Sequence, residues 1–325
     1  MYVSHLDQRP SNVIISMWNL STFFLSQLSI MASQEDEVLF DFSPELYKSG
    51  KFERGPKKFV PTNEDKETGV SSKDFTISQH ASVRIYLPKL KSNEKQKFPV
   101  LIYYHGGGFC AGSAFQQEVH CYMNIIASQA NVLVVSVEYR LAPDYPMPAS
   151  YEDSWNALLW IASNSDKNSK IEKEPWLLNH GDFGKVFITG DSAGANIVHI
   201  MVMKAGAEKL PGDMKLFGAI LCFPYFWSSE IEEKMKTPDA NSFYYNLWNL
   251  AYPNAPGGID CVLFSPWAKD APGLHILGCS KMLVILAEKD ILRGAGLQYV
   301  EEVKKSGFKG KVEMYEILEV DFIKA

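Results

Sequence analysis

Two glycine-rich segments constrain this chain more than any other feature. Residues 105–108 read His-Gly-Gly-Gly, residues 190–194 read Gly-Asp-Ser-Ala-Gly, and each follows an apolar, β-rich run. A serine flanked two residues away on each side by glycine, entered from a strand, predicts a sharp strand-to-helix turn that lifts the hydroxyl above a sheet edge. A glycine loop about 85 residues earlier, also after a strand, predicts backbone N–H groups facing that hydroxyl. A nucleophile and donors for developing negative charge are the parts of a serine hydrolase.

Size and charge agree with one catalytic unit. A chain of 325 residues, 46% apolar, can bury a single large α/β core. A net charge of −6 with no basic stripe argues against nucleic acid as a partner. The five cysteines (110, 121, 222, 261 and 279) show no C-x-x-C spacing, so reduced thiols in a cytoplasmic protein and no metal are expected. Val13 to Ile30 is uncharged, but Ser16, Asn19, Ser21, Thr22, Ser26, Gln27 and Ser29 interrupt it too often for a convincing membrane span. Residues 1–30 are expected to be a disordered or artefactual extension ahead of Met31, with residues 31–325 forming the domain.

Beyond residue 73, strands come first as a hairpin and then alternate with helices. Asp74–Ser78 and Ser82–Pro88 alternate apolar with polar and predict antiparallel pairing. Continuous apolar runs at 99–104, 132–137, 185–189, 217–223 and 282–287 predict strands buried on both faces, and 312–317 a last one. This pattern predicts an α/β fold with a mostly parallel central sheet flanked by helices. The charged stretch 32–70 and the aromatic stretch 224–258 break the rhythm and are expected to form a cap.

Chemistry assigns roles. Ser192 is the expected nucleophile, with the amide of Ala193 and those of Gly106 and Gly107 as oxyanion donors. The acid of such a site follows a late strand, which points to Asp290, with Glu288 as the competitor.

The joint pattern His105-Gly-Gly-Gly-Phe, Glu138-Tyr-Arg-Leu-Ala-Pro, Tyr151-Glu-Asp-Ser-Trp, Gly190-Asp-Ser-Ala-Gly and Ala287-Glu-Lys-Asp resembles plant carboxylesterases of the hormone-sensitive-lipase-like group, from about Glu37 to Glu316. The resemblance implies an α/β-hydrolase fold with an amino-terminal and inserted cap. It also implies hydrolysis of small carboxylic esters and no cofactor. Ser192 matches the nucleophile, Asp290 the acid, and Gly106, Gly107 and Ala193 the oxyanion donors. His105 matches a residue that orients the glycine loop and is not the base.

One part is missing from the pattern. In the resembled group the base follows the last strand, yet no histidine follows His275 here. His199 lies two turns along the helix after Ser192, roughly 10 Å down its axis and out of reach. His5, His80, His120, His180 and His275 precede the acid or stand outside the sheet core. The expectation is a carboxyl-terminally shortened carboxylesterase with impaired turnover. Two alternatives remain open: a hormone-like small-molecule receptor, or a lyase of the same group. Plant gibberellin receptors resemble the same group and lack that histidine, but carry serine where this chain has Gly108.

Overall fold

The computed structural model describes residues 44–46, 52–55, 57–91, 96–235 and 243–318. The expected extension 1–30 and parts of the expected cap 32–70 lie outside the described residues.

Two short strands, β1 (Pro44–Leu46) and β2 (Phe52–Arg54), pair antiparallel. Strands β3 (Ser71–Thr76) and β4 (Ser82–Leu87) form the expected hairpin. The first of them starts three residues earlier than the alternation predicts. Ile77 and Ser78 belong to the turn, where both amides donate to the Ala81 carbonyl.

Next come β5 (Phe98–Tyr104), α1 (Gln117–Ala130), β6 (Leu133–Glu138), α2 (Ala149–Ser163), α3 (Pro175–His180), β7 (Gly181–Asp191) and α4 (Ala193–Ala207). They are followed by β8 (Leu216–Cys222), α5 (Ser229–Met235), α6 (Phe243–Ala251), β9 (Cys279–Ala287), α7 (Arg293–Lys305) and β10 (Lys311–Ile317). Eight strands form one sheet in the order β10-β9-β8-β7-β5-β6-β4-β3, with the β3–β4 and β4–β6 pairs antiparallel and the remaining pairs parallel. The continuous apolar runs have their cause here. Helices cover both faces, and one buried cluster gathers Val100, Ile102 and Ile188 while another gathers Leu101, Val134 and Phe187.

This order positions the site. In register, Tyr104 lies beside Gly190, and Gly190 beside Leu221. The ends of β5, β7 and β8 therefore stand side by side, where ligands bind in sheets of this kind. The aromatic stretch from Tyr225 falls between β8 and β9 and contributes α5 and α6. No helix among the described residues is long and apolar enough to cross a membrane.

Candidate active site

Ser192 occupies the junction of β7 and α4 with φ 52° and ψ −115°, a conformation costly for any residue bearing a Cβ. Neighbours fix it there. Its N–H donates to the Cys222 carbonyl at 2.9 Å, and its carbonyl accepts from Tyr225 N at 3.0 Å and Asn196 N at 3.1 Å. The crossing of α4 over β5 is so close that a Cβ at Gly194 would lie 2.0 Å from the Tyr104 carbonyl oxygen. That contact is the physical reason for the second glycine of the motif. Ser192 is partly exposed, while Ala193 behind it is buried.

The glycine loop leaves β5 at His105. Gly107 and Gly108 take positive φ values of 113° and 59°. Among the described residues, the amides of Gly107, Gly108 and Ala193 have no intramolecular acceptor. The Gly106 amide has one, because it hydrogen-bonds the Asp191 carboxylate. That carboxylate also accepts from the Tyr103 hydroxyl at 2.5 Å. Asp191 is the variable position of the serine motif, and sequence reasoning passed over it. The available signal was an ionisable side chain adjacent to the nucleophile.

His105 is buried and stacked on Tyr139, with ring centres 4.2 Å apart and 9° between planes. Its Nδ1 donates to the Gly106 carbonyl at 2.8 Å, and Tyr139 Oη donates to the His105 carbonyl at 2.6 Å. Burial, aided by the Lys57 charge, pulls its pKa down to about 3, so the ring is neutral. Residues of the other resembling motifs are tied by hydrogen bonds of their own. Glu138 accepts from Ser113 Oγ at 2.9 Å and Ala114 N at 2.6 Å. Arg140 holds the buried Asp153 by two guanidinium bonds of 2.7 and 2.9 Å. Tyr151 Oη donates to Asn196 Oδ1 at 2.6 Å, and Asn196 Nδ2 donates to the carbonyls of Tyr225 and Leu263.

Asp290 lies in the turn after β9, two strand positions beyond β7, a lateral step of roughly 10 Å at sheet spacing. It is buried, and its Oδ1 accepts from Leu292 N at 2.9 Å. Glu288 is exposed, with its N–H donating to the Ile317 carbonyl. Among the described residues no histidine hydrogen-bonds the Ser192 hydroxyl. His199 is enclosed by Tyr299 and Phe226, with Nδ1 3.0 Å from Tyr299 Oη, and burial pulls its pKa down to about 3. His120 contacts Asn63, Tyr86 and Arg84, whereas His180 contacts the Gln96 carbonyl. His80 and His275 are exposed.

Aromatic rings stand beside the glycine loop. Phe109 meets Tyr151, Tyr225 and Trp248 at ring-centre distances of 5.9, 6.0 and 6.1 Å. Trp248 stacks on Phe264 at 4.3 Å. Among the described residues no group of three or more His, Cys, Asp or Glu side chains could hold a metal ion.

Comparison with known proteins converges on one lineage. A family model described as alpha/beta hydrolase fold matches residues 101–323. A 2-hydroxyisoflavanone dehydratase of Glycyrrhiza echinata is 50% identical over 276 residues, covering 83% of this chain and 84% of its own. Probable carboxylesterase 1 of Arabidopsis thaliana is 41% identical over 293 residues, covering 88% and 90%. Among solved structures, a hyperthermophilic esterase from Pyrobaculum calidifontis matches with a TM-score of 0.58 and 28% identity over 76% of each chain. The chain belongs to the α/β-hydrolase-fold family, in the hormone-sensitive-lipase-like group that includes the plant carboxylesterases.

Proposed function

We propose that this protein is a carboxylesterase-type serine hydrolase acting on small carboxylic esters with an apolar portion. The observation that carries the reading is the strained Ser192 turn lying one strand from a glycine loop with unpaired amides. In this reading the Ser192 oxygen attacks the ester carbonyl. Gly107, Gly108 and Ala193 donate to the resulting oxyanion, and the Gly106 amide serves Asp191 instead. Losing one such donor costs about 100- to 1,000-fold in turnover. Asp290, buried where Glu288 is exposed, is the acid that would orient a base. His105 orients the loop. The rings of Phe109, Tyr225 and Trp248 favour apolar acyl or alcohol groups. The domain limits proposed above for residues 31–325, with the cap, belong to the same reading. The buried, unpaired thiols of Cys110, Cys222, Cys261 and Cys279 suit a cytoplasmic setting.

Among the described residues no histidine hydrogen-bonds Ser192, so this polypeptide is expected to turn esters over far more slowly than a complete triad would, with the slow step still running through the Ser192 oxygen. The test is hydrolysis of p-nitrophenyl acetate by this polypeptide and its Ser192→Ala variant. Slow release abolished by the substitution supports the reading. Equal rates in both proteins overturn it.

The 50% identity to a dehydratase favours a second reading, elimination of water from a hydroxylated carbonyl compound. There the loop would stabilise an enolate, and no acyl group would be held on Ser192. Product analysis with a β-hydroxy ketone separates loss of water from ester cleavage.

A further inference from the structure

We propose that Asp191 is a positioning residue that, braced by the Tyr103 hydroxyl, holds the glycine loop in place over Ser192 by gripping the Gly106 amide. The inference rests on the reading that this loop faces an oxyanion formed on Ser192. It adds a residue for which that reading has no role.

Three observations support it. The carboxylate gathers three donors from two adjacent strand ends: Tyr103 Oη at 2.5 Å, its own backbone N–H, and the N–H of Gly106. The loop is fitted to it without slack, since a Cβ at Gly106 would lie 2.2 Å from Asp191 Oδ2. Finally, the arrangement is costly. The residue is half-buried and its carboxyl is enclosed, which raises its pKa from 3.8 to about 6 against the pull of those donors. A neutral side chain would fill the place more cheaply, and costly ionisable groups beside a nucleophile mark functional positions.

The grip also accounts for the loop's division of labour. Gly106 is tied down through its amide, and its carbonyl accepts from His105. The two following amides are left unpaired. A loop pinned on one side presents its remaining donors without reorganising, which is what stabilisation of a developing charge requires.

The test compares wild type, Asp191→Ala, Asp191→Asn and Tyr103→Phe by amide hydrogen exchange at neutral pH, together with affinity for phenylboronic acid, which forms a tetrahedral adduct on an active serine. In Asp191→Ala, peptides spanning 105–112 should exchange about 10- to 100-fold faster, the loss expected for a hydrogen bond to a charged group, while peptides from α4 stay unchanged. Boronate affinity should fall by a similar factor. Asp191→Asn should restore part of both, since its carbonyl oxygen can accept from Gly106 while its amide nitrogen turns to Tyr103. Tyr103→Phe should fall between wild type and Asp191→Ala. Unchanged exchange over 105–112, or equal acceleration in every peptide of the Asn and Phe variants, overturns the proposal. If boronate fails to bind wild type, the assignment of Ser192 fails, and the exchange data still decide the role of Asp191.

Discussion

Ser192 and Asp191 are neighbours that each give up stability, for different reasons. Ser192 holds a backbone conformation that costs about 1–3 kcal/mol in any residue but glycine. Ser192→Gly should therefore melt higher than Ser192→Ala by a few degrees, though both lack the nucleophile. Thermal scans of the two inactive variants check this. Asp191 has its pKa raised by burial, so between pH 3.8 and about 6 the folded chain binds more protons than the unfolded one. Its contribution to stability falls as pH rises through that window, and above it the ionised group costs at most about 3 kcal/mol. The groups facing it do not interfere. Burial pushes Tyr103, Tyr122, Tyr139 and Cys222 well above neutrality, with the Asp191 charge adding to this, and His105 stays near 3. The difference in melting temperature between Asp191→Asn and wild type should therefore shift in favour of the variant from pH 5 to pH 8. A difference independent of pH would show that the folded carboxyl titrates where the unfolded one does, so that burial has not raised its pKa.

At the scale of elements, helix α6 approaches the glycine loop. A Cβ at Gly108 would lie 2.0 Å from Leu247 Cδ2, and Gly108 itself has φ 59°. Both ends of the helix are tied: Tyr225 Oη donates to the Tyr244 carbonyl, and Met147 N donates to the Ala251 carbonyl at 2.9 Å. Leu247 therefore cannot yield freely. Gly108→Ala should lower ester turnover by about 100-fold or more, since it displaces a donor. Adding Leu247→Ala removes the collision but not the backbone strain, so rescue should be partial. Steady-state kinetics of the single and double variants measure both effects. The sequence placed Tyr225 and Trp248 outside the sheet but gave no hint that Leu247 meets the third glycine.

For the whole molecule, one sheet serves both buried clusters, with Leu101 facing one and Ile102 the other. Leu101→Ala and Ile102→Ala should each destabilise by roughly 2–5 kcal/mol, and both should shift the same unfolding transition. Two separable transitions in chemical denaturation would show that the two faces melt independently.

Local chemistry determined a great deal by itself. Strand positions followed from runs of apolar residues, because a strand covered on both faces has no polar side to show. The serine turn and the glycine loop were legible because glycine is demanded wherever backbone passes within a few ångströms of backbone. The first hairpin strand ends at Thr76, before the expected Ser78, because Ile77 looks like a strand residue until the Ala81 carbonyl claims its amide. What only the tertiary structure decided was which atoms spend their hydrogen bonds on each other. Gly106 and Gly107 are indistinguishable as letters. The fold brings Asp191 from β7 against one of them, and the partner of a backbone amide depends on which strands lie adjacent, a property of the assembled sheet.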